Sequence, residues 1–179
     1  NTEKFKILTR AHSKESDVLQ LLTVRRLVKR TGVDLLLRAL AHLKNQRNSV
    51  NLKFHLTIAG VGASRDDLVL LAEELDLMHD VSFCGFVSDA ELVKKYNEAD
   101  FSIMPTVALE GFGLSTIESF ACGTPVLGTP SSANIEAIGQ FSPALLADDV
   151  TPEALCDKII EAAEMRIPAE VCRQYVIDN

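Results

Sequence analysis

Short, almost wholly apolar runs alternate with amphipathic stretches along most of this chain. Between the runs, apolar residues recur at helical spacing, as at positions 33, 36, 37, 40 and 43. Apolar runs of this length predict parallel strands that are buried on both faces of a sheet. The runs are LQLLTV at 19–24, FHLTIAG at 54–60, VSFCGF at 81–86, DFSIMP at 100–105 and PVLGT at 125–129. The alternation predicts one α/β domain, a Rossmann-like doubly wound parallel sheet with helices on both faces.

The size and charge of the chain narrow the functions that this fold could carry. The 179 residues are 47% hydrophobic and 24% charged, which suits one domain with a sizeable core. The net charge of -7 argues against a general nucleic-acid or membrane-surface binder, because such proteins normally carry a basic face. No apolar run approaches the roughly 20 residues that span a bilayer. A small anionic ligand held by local donors remains compatible with this composition.

The cysteines and histidines show no spacing typical of a metal site. Cys84, Cys122, Cys156 and Cys172 match neither a zinc site nor a CxxC redox pair. We therefore expect four reduced, mostly buried thiols in a cytoplasmic protein. The four histidines are scattered along the chain, so no metal site is predicted.

Ligands of a doubly wound sheet bind in loops at the carboxyl ends of its strands. The loop after the first predicted strand, RRLVKRTG, holds Arg25, Arg26, Lys29 and Arg30. Arginine suits phosphate because its planar fork donates two hydrogen bonds at once, although a solvated basic turn is equally compatible. The loop after the second strand, AGVGASRDD, has a GxG without the third glycine of the dinucleotide fingerprint. That pattern is more typical of a tight turn and disfavours a dinucleotide-dependent oxidoreductase.

The stretch EGFGLSTIESFACGTP at 110–125 enters a predicted helix that begins near Leu114. Gly111 and Gly113 bracket Phe112 directly before that helix. Free N–H groups at a helix start, with glycines that permit close approach, are suited to binding an anion.

Two carboxylates in the same stretch, Glu110 and Glu118, lie eight positions apart. A carboxylate would repel phosphate but accepts hydrogen bonds from hydroxyls, and the vicinal hydroxyls of a ribose are suitable partners. Two other interpretations remain open. Ser115 and Glu118 have capping-box spacing, so Glu118 could close the helix N-terminus, and Glu110 could be an ordinary loop acid.

The segment EGFGLSTIESFACGTPV is similar to the E-x7-E signature of a known enzyme family. It resembles the C-terminal, donor-binding domain of the family 4 retaining glycosyltransferases (glycosyl transferases group 1), which have the GT-B fold of two facing Rossmann-like domains. CGFVSDAEL, NEADFSIMPT and VLGTP are also similar and occur in the same order. The resemblance covers essentially the whole chain. It implies an interdomain lead-in at 1–17, a donor nucleotide-sugar-binding domain at 18–179, and an acceptor-binding N-terminal domain outside this chain.

The resemblance also implies roles for individual residues. Arg26 and Glu110 match the catalytic pair, in which the arginine contacts the donor diphosphate and the acid meets the transferred sugar. Glu118 matches the acid that hydrogen-bonds the ribose. The positions that would hold the rest of the donor are Gly85, Phe86 and Val87 around the base, and Gly111, Phe112, Gly113 and Leu114 along the sugar and phosphate.

Four positions depart from the family pattern. The glycine before the family arginine is Arg25 here, and the usual phosphate lysine is Thr31. Two interpretations remain open: Lys29 or Arg30 substitutes for the lysine, or donor affinity is weak. The glycine pair expected after the last strand reads SA at 132–133, ahead of Glu136. A phosphate would approach that loop less closely.

The activity implied by the resemblance is retaining, metal-independent hexosyl transfer from a nucleotide-diphosphate sugar to a glycan, lipid or small-molecule acceptor. No further cofactor is implied, and the domain alone should be inactive. We expect a cytoplasmic location, with peripheral association at the inner face of a membrane open for the full-length enzyme. The alternatives are a degenerate, non-catalytic nucleotide-sugar-binding module and another GT-B enzyme, such as a nucleotide-sugar epimerase or a glycogen-type synthase.

Overall fold

A single parallel sheet forms the centre of the molecule. The computed structural model describes residues 2–8, 17–46, 50–108 and 113–179. The strands are β1 (Val18–Val24), β2 (Lys53–Ala59), β3 (Val81–Gly85), β4 (Phe101–Met104) and β5 (Val126–Gly128). They pair in the order β3-β2-β1-β4-β5, and all four pairings are parallel. The predicted doubly wound α/β fold is confirmed.

Helices follow the strands as the sequence predicts. They are α1 (Val33–Asn45), α2 (Arg65–Glu74), α3 (Asp89–Glu98), α4 (Leu114–Ala121), α5 (Ser132–Asn134), α6 (Pro152–Ala163) and α7 (Ala169–Asp178). The α5 turn continues as a π-helical segment, Ile135–Gly139. The short apolar run ALL at 144–146 also predicts a weaker strand. That prediction is wrong, because Pro143–Leu145 form a 3₁₀ turn and only Leu146 bridges Gly128. Within the described ranges, no helix has the length and apolar character needed to cross a membrane.

The two faces of the sheet are covered by separate hydrophobic clusters, which explains the strongly apolar strands. Leu21 packs into the larger cluster with the buried residues of α1 and α6. Its neighbour Leu22 points to the opposite face and packs with Tyr96 and the buried end of α4. Successive residues of a strand point to opposite faces, so a strand covered on both sides is apolar at most positions.

The order of the strands places a crevice beside β1. From β1 the chain proceeds outward to β2 and β3, and then returns to form β4 on the other side of β1. The loops that leave the carboxyl ends of β1 and β4 therefore run to opposite sides of the sheet. Such a switch point is where open α/β sheets bind their ligands.

Residues 2–8, within the predicted lead-in, pack against the domain. Phe5 is buried in the second cluster. Asn97 of α3 accepts a hydrogen bond from the Leu8 N–H at 2.8 Å and donates one to the Lys6 carbonyl at 3.0 Å. Arg173 of α7 donates to the Phe5 carbonyl at 3.0 Å. This segment is therefore fixed to α3 and α7 by both apolar and polar contacts.

Candidate functional site

The loop after β1 presents one arginine to solvent between two buried neighbours. Arg26 is exposed, whereas Arg25 and Leu27 are buried. The Leu27 N–H donates to the Val61 carbonyl at 2.9 Å, so this loop is hydrogen-bonded to the loop after β2. The backbone that carries Arg26 is thus fixed while its side chain reaches solvent at the carboxyl edge of the sheet. The role that the resemblance implies for Arg26 remains a prediction.

Arg25, unlike the other three basic residues of this loop, is buried. Its side chain is only 7% exposed. The guanidinium donates to Thr106 Oγ1 at 2.9 Å and to Met104 Sδ at 3.2 Å. The pleat of β1 continues into its first loop residue and directs this side chain between the carboxyl ends of β1 and β4. Arg25 therefore joins the two loops of the crevice.

The rest of the basic loop is a 3₁₀ turn, Lys29–Thr31. Lys29 and Arg30 are exposed, as expected of residues that would substitute for the family lysine. Thr31, at the lysine position, is buried, and its hydroxyl lies 2.8 Å from the Arg26 carbonyl and 2.7 Å from the Val28 carbonyl. This hydroxyl closes the turn.

The basic turn also contacts the loop after β4. The Val107 N–H donates to the Arg30 carbonyl at 3.0 Å. At Gly32, where φ is 72°, a Cβ atom would lie 1.8 Å from the Pro105 carbonyl oxygen. Only glycine permits this approach. The loops after β1 and β4 are therefore in direct backbone contact across the switch point.

The helix α4 begins at this crevice without a side-chain cap. Its N-cap is Gly113 in the left-handed conformation, with φ of 60°, and Leu114 is exposed. The first N–H groups of a helix have no partner inside the helix, so this end is suited to an anion. Glu110, Gly111 and Phe112 lie outside the described residues, and their roles remain predictions.

Glu118 lies in the second turn of α4, so the capping-box interpretation is wrong. The N-cap is Gly113, and Ser115 is already the second residue of the helix. The carboxyl group is half-buried. The Tyr96 hydroxyl lies 3.3 Å from Glu118 Oε2 and 3.2 Å from the Ser115 carbonyl. Burial raises the pKa of Glu118, and the hydrogen bond from Tyr96 opposes that rise.

The carboxyl end of β3 presents an open, flat apolar surface. Gly85 has φ of 67°, and no atom lies within 4 Å of the position that a Cβ would take. Phe86 is 83% exposed. Val87 is partly buried and packs against the second hydrophobic cluster. An exposed aromatic ring beside an unobstructed glycine could support the planar face of a base.

Comparison with known families places the chain in one of them. Residues 5–178 match the model of the family described as glycosyl transferases group 1. The chain belongs to this family. An uncharacterized glycosyltransferase of Methanocaldococcus jannaschii is 35% identical over 165 residues, which are 92% of this chain and 40% of that protein. The chain thus spans less than half the length of this relative.

Solved structures of group 1 and other GT-B glycosyltransferases confirm the fold. The C-terminal domain of a glycosyl transferase group 1 family protein from Francisella tularensis superposes with a TM-score of 0.71 at 17% identity, over 98% of this chain and 92% of that one. An Anabaena protein, solved in complex with UDP and glucose, superposes with a TM-score of 0.77 at 18% identity. That match covers 99% of this chain and 50% of the Anabaena chain. The architecture is therefore that of the C-terminal half of a GT-B glycosyltransferase.

The cysteines of this group 1 domain are not all buried. Cys122, Cys156 and Cys172 are buried, and burial raises their pKa values to about 12, about 11 and about 12. Cys84, at the open end of β3, is exposed, so three of the four free thiols are buried, and the prediction of mostly buried, reduced thiols is confirmed. In the described ranges, no group of three or more histidine, cysteine or acidic side chains is placed to hold a metal ion.

One residue of the site, Tyr96, was missed by the sequence analysis. It lies on the apolar stripe of α3 with Leu92 and Val93, and that pattern indicates only a core position. The one feature of the sequence that could have identified Tyr96 is its residue type. A tyrosine that is fully buried usually needs a partner for its hydroxyl, so an acid on a neighbouring helix could have been sought.

Proposed function

We propose that this chain is the donor-binding domain of a retaining glycosyltransferase that uses a nucleotide-diphosphate sugar. One observation carries the proposal: three features of different chemistry occur around one switch point. They are the exposed cation of Arg26, the uncapped start of α4 at Gly113, and the half-buried carboxylate of Glu118. A ligand with both phosphates and hydroxyls would use all three. The UDP and glucose held by the Anabaena protein of the same fold support this class of donor.

In this proposal the diphosphate binds between the basic loop and α4. Arg26 pairs with phosphate oxygens, and Lys29 or Arg30 supplies the charge that Thr31 does not. The first N–H groups of α4, after Gly113, donate to the same anion.

The nucleoside occupies the side of the crevice nearer β3. Glu118 accepts hydrogen bonds from the ribose hydroxyls. Gly85, Phe86 and Val87 frame the base, where an exposed ring gives a stacking surface without selecting one base.

In the full-length enzyme, Glu110 meets the transferred sugar, and transfer proceeds with retention through an oxocarbenium-like transition state. Arg26 and the helix N–H groups stabilise the charge that develops on the leaving diphosphate without a metal ion. The acceptor, a glycan, lipid or small molecule, is bound by a partner domain that excludes water on closure. The isolated domain therefore binds nucleotide and transfers nothing. Such an enzyme acts in the cytoplasm or at the inner face of a membrane.

Calorimetric titration of the 179-residue chain with UDP, GDP, ADP and their sugar conjugates, without divalent metal, tests the donor-binding role. We expect selective binding of one nucleotide. Glu118→Ala should weaken it about tenfold, because hydrogen bonds to a charged group are lost. Glu73→Ala, an exposed acid on α2, is the matched control and should leave the affinity unchanged. Absence of binding to every nucleotide would overturn the proposal.

A degenerate, non-catalytic module is the second candidate, and Thr31 favours it. Its hydroxyl is engaged by two backbone carbonyls at the position where the resemblance implies a phosphate lysine. Transfer or hydrolysis of a nucleotide sugar by the full-length protein distinguishes the two. An active enzyme should lose turnover when Arg26 or Glu110 is replaced by alanine.

A further inference from the structure

We propose that Tyr96 is a positioning residue that holds one oxygen of Glu118 and leaves the other for the donor ribose. This inference rests on the proposed function, because the ribose is its ligand. The Tyr96 hydroxyl contacts Glu118 Oε2 at 3.3 Å. Within the described part of the chain, Oε1 has no hydrogen-bond partner. A carboxylate fixed through one oxygen presents the second in a defined direction, which is what recognition of a hydroxyl pair requires.

The core of the domain fixes Tyr96 itself. The residue is fully buried, and its ring packs edge-on against Phe5 with centroids 6.2 Å apart. Its carbonyl accepts a hydrogen bond from Thr124 Oγ1. Tyrosine has only two side-chain torsions, and close packing on all sides leaves the ring little freedom. The position of the hydroxyl is therefore set by packed elements and not by the loops of the crevice.

The Tyr96 hydroxyl has one proton for two acceptors, Glu118 Oε2 and the Ser115 carbonyl at 3.2 Å. Burial, followed by the nearby carboxylate of Glu118, raises the pKa of Tyr96 well above its usual value. The phenol therefore stays protonated at every pH used for binding. It acts as a permanent donor whose proton is shared between the backbone and the carboxylate of α4.

Three side chains act on the protonation of Glu118 from neighbouring elements. Burial is the main cause of its raised pKa; the Tyr96 hydrogen bond lowers this pKa, Asp89 raises it and Lys4 lowers it. Lys4 and Asp89 form an ion pair with each other, and their effects on this pKa have opposite signs. The Tyr96 hydrogen bond is the largest of the influences that lower the pKa of Glu118.

The direction of the pH effect follows. Only the ionised carboxylate accepts from both ribose hydroxyls, so nucleotide affinity falls when the pH drops through the pKa of Glu118. Without the Tyr96 hydroxyl that pKa rises further. The loss of affinity should then begin at a higher pH.

The test compares Tyr96→Phe with Tyr175→Phe, which removes the same atom from a tyrosine that packs on Phe120 and Phe141. The pKa of Glu118 is followed by the ¹³C resonance of its carboxyl group, and the affinity by titration with the best of UDP, GDP and ADP. We expect a higher Glu118 pKa in Tyr96→Phe and an affinity about fivefold lower at pH 7, with a larger difference at pH 5. Tyr175→Phe should match the wild-type chain.

The Glu118→Gln background shows whether Tyr96 acts through Glu118. In that background, adding Tyr96→Phe should cost no further affinity. A Tyr96→Phe chain that titrates and binds as wild type overturns the proposal. So does weaker binding with an unchanged Glu118 pKa, since that pattern indicates a merely structural role.

Two further outcomes distinguish failure of this inference from failure of the proposed function or of folding. If the wild-type chain binds no nucleotide, the proposed function falls, and the Glu118 pKa in Tyr96→Phe alone decides the positioning role. If Tyr96→Phe does not fold, 3-fluorotyrosine in the wild-type chain replaces it. The ¹⁹F signal of Tyr96 should follow the titration of Glu118 and lose that step in Glu118→Gln, whereas a signal insensitive to Glu118 overturns the proposal.

Discussion

Two glycines end neighbouring strands at the carboxyl edge of the sheet, yet their surroundings are opposite. Gly60 follows β2 with φ of 147°, and a Cβ on it would lie 1.8 Å from the Arg25 carbonyl oxygen. Gly85 ends β3 with φ of 67°, and nothing lies within 4 Å of its Cβ position. The Gly60 N–H donates to the Gly85 carbonyl at 2.7 Å, so the two residues are directly joined. One faces packed backbone and the other faces open space.

This difference indicates a separate structural role for each glycine. At Gly60 the loop after β1 passes against the loop after β2, and the Arg25 N–H donates to the Ala59 carbonyl at 3.0 Å. Gly62 is similar, since its Cβ would lie 2.1 Å from the Leu27 carbonyl oxygen. These glycines let the loop that carries Arg26 lie close to the sheet. Gly85 supplies a left-handed turn beside an exposed phenylalanine, where a ligand has room to approach.

Gly60→Ala gives the largest effect that this comparison predicts. The free energy of unfolding should fall by about 3 kcal/mol or more, because the new methyl group meets a backbone carbonyl that cannot move without both loops. Gly85→Ala is the matched control and should cost only about 1 kcal/mol for its left-handed backbone. Urea unfolding measures both. Equal losses at the two positions would show that the packing difference does not matter.

Phe86→Ala tests whether the open end of β3, beside Gly85, binds the nucleotide. We expect about tenfold weaker nucleotide binding, because stacking of a base on an aromatic ring contributes about 1–3 kcal/mol. The free energy of unfolding should change by less than about 0.5 kcal/mol, since the ring is 83% exposed. Leu70→Ala, at a 57% exposed position on α2, controls for loss of surface apolar area. Unchanged nucleotide affinity in Phe86→Ala would remove the base from this end of β3.

Most of the fold could be predicted from local pattern, because strands buried on both faces are predominantly apolar. All five strands were predicted within about two residues of their observed ends. The error at 144–146 arose from a short apolar run that Pro143 turns into a 3₁₀ segment. The strand order could not be predicted in this way. It depends on pairing between distant residues, such as Leu21 with Phe101, which no local pattern specifies.

The candidate site was harder to predict from the sequence, because adjacent residues of the same type differ in burial and because the start of a helix shifts the role of each residue in it. Residues 25 and 26 are both arginine, and only the pleat of β1 decides that Arg25 is buried and Arg26 exposed. The S-x-x-E spacing at 115–118 fits a capping box, but the left-handed Gly113 starts the helix two residues earlier. The contact between Tyr96 and Glu118 joins two helices, and the sequence signals only that a buried tyrosine needs a partner, not that Glu118 is the partner.

Thiol labelling tests the same comparison between packed and open regions, and it does so without substituting any residue. Cys84 precedes Gly85 at the open end of β3, while burial raises the pKa values of Cys122, Cys156 and Cys172 to between about 11 and about 12. A maleimide at neutral pH should modify one thiol per folded chain, because reaction requires an accessible thiolate. The other three should react only after unfolding. More than one fast thiol in the folded chain would contradict the burial of these residues.

Saturating nucleotide should slow the labelling of Cys84 if the base lies across Gly85, Phe86 and Val87. Phe86→Ala, compared with the wild-type chain at a nucleotide concentration equal to the wild-type Kd, should show much less protection, because a variant that binds about tenfold more weakly is then largely unoccupied. Protection that is absent in the wild-type chain, under conditions where titration shows binding, would place the base away from β3. The two glycines would then differ only in packing, and the open end of β3 would have no part in holding the donor.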